Sequence, residues 1–140
     1  MLNKELVYTR IDLIKRSLTR LEKMAVLPRE TFLADPDNFA IAEHHLRRAL
    51  ESLFDIGRHI MAKQGLGHPA DYRSIILTLG REKILPSKFA EKIKGMAGYR
   101  NRLVHGYAEV TPEEMYHIIQ TRLADFEEYC AYILKYLEKA

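Results

Sequence analysis

Phe89-Ala90-Glu91-Lys92-Ile93-Lys94-Gly95-Met96-Ala97-Gly98-Tyr99-Arg100-Asn101-Arg102-Leu103-Val104-His105-Gly106-Tyr107 carries both a helical period and a departure from it. Phe89, Ile93 and Met96 recur at spacings of 4 and 3, and the line continues through position 100 to Leu103 and position 107. Arg100 therefore stands where the period calls for an apolar side chain. An arginine facing a core or an interface needs a partner, because an unpaired buried charge is very costly. At about 100° per residue, Asn101 and His105 project within about 40° of each other, and Arg100 and Tyr107 within about 20°. A cation, an amide, an imidazole and a phenol thus gather at one helix end, with Gly106 as the expected helix stop. Two readings stand at this point. In one, Arg100 pairs with a buried carboxylate, His105 caps a terminal carbonyl and Tyr107 packs as an amphipathic side chain. In the other, the cluster is a functional site.

Working outward, the same 3 and 4 spacing fills the rest of the chain. Val7, Ile11, Ile14, Leu18, Leu21 and Ala25 predict a helix over 3–27, ended by Pro28. Its other face carries Lys15, Arg16, Arg20 and Lys23, a set that demands no function by itself. Arg29 to Asp35 reads as a connection with at most one helical turn. Phe39, Ala42, Leu46, Ala49, Leu53, Ile56 and Ile60 predict a second long helix over 38–64. A polar stripe runs along it through His44, Arg47 or Arg48, Glu51, Asp55 and His59. It is either an ion-pair ladder or the surface facing Arg100, with Glu51 and Asp55 as the candidate partners. Gly65 to Pro69 breaks that helix, and Asp71 caps a short one from Tyr72 to Leu79, closed by Gly80. A third main helix spans 87–105. Gly95 and Gly98 cost it roughly 1 kcal/mol each, which is tolerable where another helix approaches closely. Thr111-Pro112-Glu113-Glu114 is a capping box with proline at the first turn, opening a fourth helix over 112–138. No segment alternates like a strand. The expected architecture is all-α: an antiparallel four-helix bundle with an additional short helix, forming a single domain over 1–140.

Composition excludes several classes. Hydrophobic residues make up 47% and charged residues 29% of the chain, an ordinary globular balance. Cys130 is the one cysteine, so no intrachain disulfide forms, which suits a reducing cytoplasm. No apolar run is long enough to span a bilayer, and Met1 to Arg10 is too polar for a secretory signal. The expected location is cytoplasmic, without membrane association. His44 and His45 are adjacent and point apart. No second ligand set stands at zinc spacing, so no metal and no cofactor are expected. The net charge of +3 is unevenly spread. Residues 81–105 carry Arg81, Lys83, Lys88, Lys92, Lys94, Arg100 and Arg102 against Glu82 and Glu91 alone. Such a segment is either a solvated helix face or an attractor for a polyanion such as RNA.

Arg100, four residues, His105, one residue, Tyr107 resembles the Arg-x4-His-x-Tyr motif of the HEPN superfamily. The words GYRNRLVHGY and ALESLFDIGRHI, with the segment GLGHPADYR, resemble its HepT-like branch. That branch comprises small helical toxins paired with minimal nucleotidyltransferase antitoxins. The resemblance implies a HEPN-like helical domain, ribonuclease activity carried by Arg100 and His105, and dimers whose motifs face a shared cleft. It also implies that the motif tyrosine, Tyr107, receives AMP from the nucleotidyltransferase, and that an acidic position on the second long helix lies near the motif.

Elementary chemistry fits those residues to that reaction. Cleaving RNA without a metal requires a 2′-hydroxyl to lose a proton and attack the adjacent phosphate, while the 5′-oxygen gains a proton as it leaves. Histidine is suited to the proton transfers near neutral pH. Arginine holds phosphate oxygens in a fork and stabilises their developing charge. His105 is thus assigned to proton transfer and Arg100 to the phosphate. Asn101 orients imidazole or RNA, Tyr107 positions phosphate or sugar, and Arg102 contacts the RNA backbone. One chain supplies one motif histidine where the reaction wants an acid and a base, so a two-fold homodimer is expected. The alternative is a catalytically inactive helical partner of a nucleotidyltransferase. A structural helical dimer without catalysis is the third reading.

Overall fold

The computed structural model describes residues 2–105 and 109–140, with His105 described by its backbone alone. These residues contain eight helical segments and no strand. In α1 (Lys4–Ala25) the Asn3 side chain accepts from the Leu6 amide, and Val7, Ile11, Ile14, Leu18 and Leu21 are buried as their spacing predicts. The connection after Pro28 forms a true helix, α2 (Arg29–Ala34), because burying Phe32 against Tyr116 rewards the extra turn. In α3 (Pro36–Lys63) Asp35 caps the Asp37 amide, and Leu50, Phe54 and Met61 are buried beside the predicted stripe. That wider apolar face makes α3 the central helix, packed against α1, α2, α4, α6 and α7.

The second half departs from the predicted spans. α4 (Tyr72–Arg81) opens on a capping box between Asp71 and Ser74. Gly80 does not close it: the glycine lies inside the helix, where a Cβ would sit 2.6 Å from the Ala90 Cβ. The turn is made instead by Lys83, at φ 63°. The helix expected over 87–105 is two, α5 (Ser87–Ile93) and α6 (Met96–His105). Between them the Ala97 and Gly98 amides bond back three residues, to Lys94 and Gly95 carbonyls at 3.4 and 3.0 Å. Glycine lowers the cost of leaving the α-helical path there. Among the described residues no helix packs over these glycines: a Cβ on Gly95 or Gly98 would meet nothing within 4 Å.

The helix expected over 112–138 also divides, into α7 (Pro112–Thr121) and α8 (Leu123–Lys139). Asp125 explains the break. It is buried at the start of α8 and held by Lys92 at 3.2 Å and Arg122 at 3.5 Å. Holding a carboxylate inside requires such partners, and bending at Arg122 brings them to it. Four-helix-bundle logic survives, with α5/α6 and α7/α8 each replacing one predicted helix. Hydrogen bonds set the register. Asn3 N donates to His59 Nε2 at 3.0 Å and Arg10 pairs with Asp55 at 3.2 Å, so α1 runs antiparallel to α3. Lys4 Nζ reaches the Ala140 carbonyl at 3.2 Å, so α8 returns antiparallel to α1. Inside, the Tyr129 hydroxyl donates to the Leu53 carbonyl at 2.8 Å, joining α8 to α3. Among the described residues no helix is long and apolar enough to cross a membrane.

Candidate active site

Arg100 is 9% exposed and turned inward, against other helices of its own chain. Its Nη2 lies 3.2 Å from Glu51 Oε1 on α3. Its guanidinium carbon stands 4.0 Å from the ring centroid of Tyr72, the first residue of α4. Tyr72 is positioned by the Asp71–Ser74 capping box and meets Phe54 edge-on at 5.0 Å. Three helices therefore fix one arginine: α6 presents it, α3 supplies the opposite charge and α4 the ring. An ion pair and a cation–π contact of this kind contribute about 1–2 kcal/mol together. Glu51 is partly open to solvent, which screens its share.

Of the two carboxylates weighed as partners, Glu51 takes the role. Asp55, one turn along α3, is turned to Arg10 at 3.2 Å and Arg58 at 3.6 Å. Arg102 points away from Arg100, and Glu114 grips it at 2.6 and 2.7 Å while the Glu109 carbonyl accepts at 2.9 Å. Hydrogen bonding to Arg102 holds the Glu114 carboxyl below the usual carboxylate range, and the same bond raises Arg102. This fork ties the end of α6 to the first turn of α7. Asn101 is half-buried beside Arg73, Lys94 and Gly98, in a different groove from the one next to Glu51. Val104 is partly exposed and shares the Glu51 cleft with Leu13, His44, Arg47 and Arg48. His105 closes α6. Its side chain, the helix stop expected at Gly106 and the AMP acceptor expected at Tyr107 lie outside the described residues.

Tyr72 is the site residue that sequence reasoning missed. Its one signal was an aromatic directly after a helix cap in GLGHPADYR, and a cation–π contact across helices has no sequence period. Among the described residues no three His, Cys, Asp or Glu side chains converge to hold a metal. Cys130 is buried, and burial pushes its thiol up to about 11, which makes it a poor nucleophile. The basic segment over 81–105 is largely self-neutralised. Arg81, Lys92, Lys94, Arg100 and Arg102 are all ion-paired, to Glu82, Asp125, Glu91, Glu51 and Glu114.

An all-α bundle that plants an ion-paired arginine near the end of a helix closing on histidine defines a class that comparison with known proteins makes specific. A family model described as HepT-like ribonuclease matches residues 14–133. The chain belongs to that family and is a ribonuclease. It is 30% identical to a tRNA nuclease HepT of Aphanizomenon flos-aquae over 132 residues, covering 94% of this chain and 90% of the relative. It is similar to the tri-AMPylated HEPN toxin of Shewanella oneidensis, solved in complex with an MNT antitoxin. That likeness has 27% identity and a TM-score of 0.84 and covers 96% of this chain and 99% of the toxin. The cytosolic protein YutE of Bacillus subtilis superposes at a TM-score of 0.85 with 17% identity, a likeness of fold alone.

Proposed function

We propose that the protein is a metal-independent RNA endonuclease toxin, in which Arg100 stabilises the phosphate and His105 transfers protons. The observation that carries this reading is the anchoring of Arg100 on Glu51 and Tyr72, five residues before His105 on the same helix. A guanidinium fixed this way is preorganised: it does not have to be ordered when charge develops on phosphate oxygens. An incoming phosphate competes with Glu51 for the Nη groups, so Glu51 acts as a placeholder for the anion. Asn101 orients the imidazole or the RNA, and Tyr107 positions phosphate or sugar. Arg102 serves RNA binding chiefly by clamping α6 to α7. Two copies of the motif across a homodimer cleft supply acid and base. Because Arg100 finds its partner within the chain, the dimer rests on the one-histidine argument and not on an exposed arginine.

Relatives found as HEPN toxin with MNT antitoxin support a nucleotidyltransferase antitoxin as partner. Its proposed action is transfer of AMP to Tyr107, which adds bulk and negative charge near Arg100 and blocks RNA. The second reading, an inactive partner of such an enzyme, draws on the burial of Arg100, whose charge is already matched by Glu51. The deciding experiment compares wild type with His105→Ala on one RNA in the presence of a chelator. Cleavage by wild type alone, leaving a 2′,3′-cyclic phosphate or its hydrolysis product, is expected. Equal cleavage by both would expose a contaminating nuclease. Silence of the unmodified wild type across varied RNAs would favour the inactive partner.

A further inference from the structure

Most cations of the basic segment around the motif are ion-paired, which leaves Lys83 and Lys88 there. A second set of cations lies on α1 and α3. Arg16, Arg20 and Lys23 recur at spacings of 4 and 3 along α1, a stripe about 10 Å long. The fold sets this stripe across a groove from His45 and Arg48 of α3. Arg20, Lys23 and Arg48 have no ion pair among the described residues, and Arg16 meets only Asp12 on its own helix, at 3.1 Å in solvent. Among the described residues the groove is lined by cations, an imidazole and the hydroxyl residues Ser17 and Thr19, with no carboxylate and no apolar side chain. His45 Nδ1 is buried, with no hydrogen-bond partner among the described residues. Burial, then the charges of His44, Arg20 and Arg48, lower the His45 pKa, which reports the positive field inside.

We infer that the α1/α3 groove is a track for the phosphate backbone of the RNA whose scissile phosphate lies at Arg100. The inference rests on the ribonuclease reading and extends it to substrate positioning. Continuity comes from Arg48, which lines both this groove and the adjoining cleft with Glu51 and Val104. From His45 to Glu51 is six residues of α3, about 9 Å, so the track opens beside the catalytic arginine. Phosphates need cations and hydrogen-bond donors but no apolar contact. A protein partner needs an apolar centre to its interface, and this groove lacks one. The track supplies affinity without reading bases, so it suits a long or structured RNA and any sequence.

The test uses His105→Ala protein with 2′-O-methyl RNA, which has no free 2′-hydroxyl to attack, so that binding is read without cleavage and independently of whether the assignment of His105 holds. Fluorescence anisotropy against a long single-stranded RNA is measured across a salt series for R20E/K23E and, as an equal charge change elsewhere, for K88E/K135E. Arg20, Lys23, Lys88 and Lys135 are exposed, so folding is not at stake. R20E/K23E is expected to bind at least ~10-fold more weakly, with the log–log salt slope reduced by about 0.7 for each phosphate no longer neutralised. K88E/K135E keeps the parental slope. With His105 restored, the ratio of kcat/KM for long RNA to that for a trinucleotide should fall with R20E/K23E. Equal weakening in the two double variants would overturn the track, as would an unchanged slope. Unchanged RNA binding with loss of binding to an acidic protein partner would assign the groove to that protein instead.

Discussion

At the residue scale the decisive contact is Arg100 between Glu51 and Tyr72. Lysine at position 100 would keep the charge but lose the planar stack and the fork. Arg100→Lys is therefore expected to lose RNA cleavage by two orders of magnitude or more while still folding, checked by kcat on one RNA and a circular dichroism melt. Tyr72→Leu keeps an apolar side chain over Phe54 but removes the ring under the guanidinium. Its expected cost is about 1–2 kcal/mol of stability and a fall in kcat that exceeds any change in KM. Wild-type kcat in Tyr72→Leu would refute the positioning role. That Arg100 required a partner was legible from the apolar line it interrupts. The choice of Glu51 over Asp55 was not, because it depends on how α3 is rotated against α6.

At the element scale the glycines separate into two kinds. A Cβ on Gly80 would sit 2.6 Å from the Ala90 Cβ, where α4 meets α5. Gly80→Ala should therefore destabilise by about 1–3 kcal/mol. A Cβ on Gly98 meets nothing, so Gly98→Ala should stabilise α6 by up to about 1 kcal/mol. Urea midpoints for the two variants should move in opposite directions; parallel shifts would refute this account. The glycine pattern itself was visible in the sequence, but a close approach was expected at Gly98 and occurs at Gly80. Packing contacts between elements have no local signature, whereas the caps at Asp71 and Thr111 did, because their hydrogen bonds close within three residues.

At the scale of the whole molecule, acid should loosen the bundle in two stages. His45 and His59 are both lowered first by burial, and His59 Nε2 accepts from the Asn3 amide, a bond only the neutral ring can make. Their folded pKa values lie below the ordinary 6.5, so the unfolded chain binds more protons in that range. Stability is then full above about 6.5 and declines as pH falls through the folded values. Glu114, lowered chiefly by Arg102, contributes stability above the ordinary 4.5 that is lost on further acidification, releasing α6 from α7. Thermal melts from pH 8 to 2 check the order; His59→Gln should blunt the first decline. Light scattering should give a dimer at micromolar concentration, and a monomer would count against two motifs sharing a cleft.

The all-α class, the long helices α1 and α3, the capped starts at Asp71 and Thr111 and the arginine out of place on an apolar line were legible along the chain. Each of these follows from interactions spanning one or two turns, and a one-dimensional pattern records them. Tertiary structure alone decided the bends at Gly95 and Arg122, the use of Arg102 as a clamp and the placing of Tyr72 beneath Arg100. It also set the cations of α1 against His45 and Arg48, turning a stripe that demanded nothing into one wall of a groove. These outcomes depend on which helix faces meet and in what register. That is settled by burying one shared core, and no spacing along the chain encodes it.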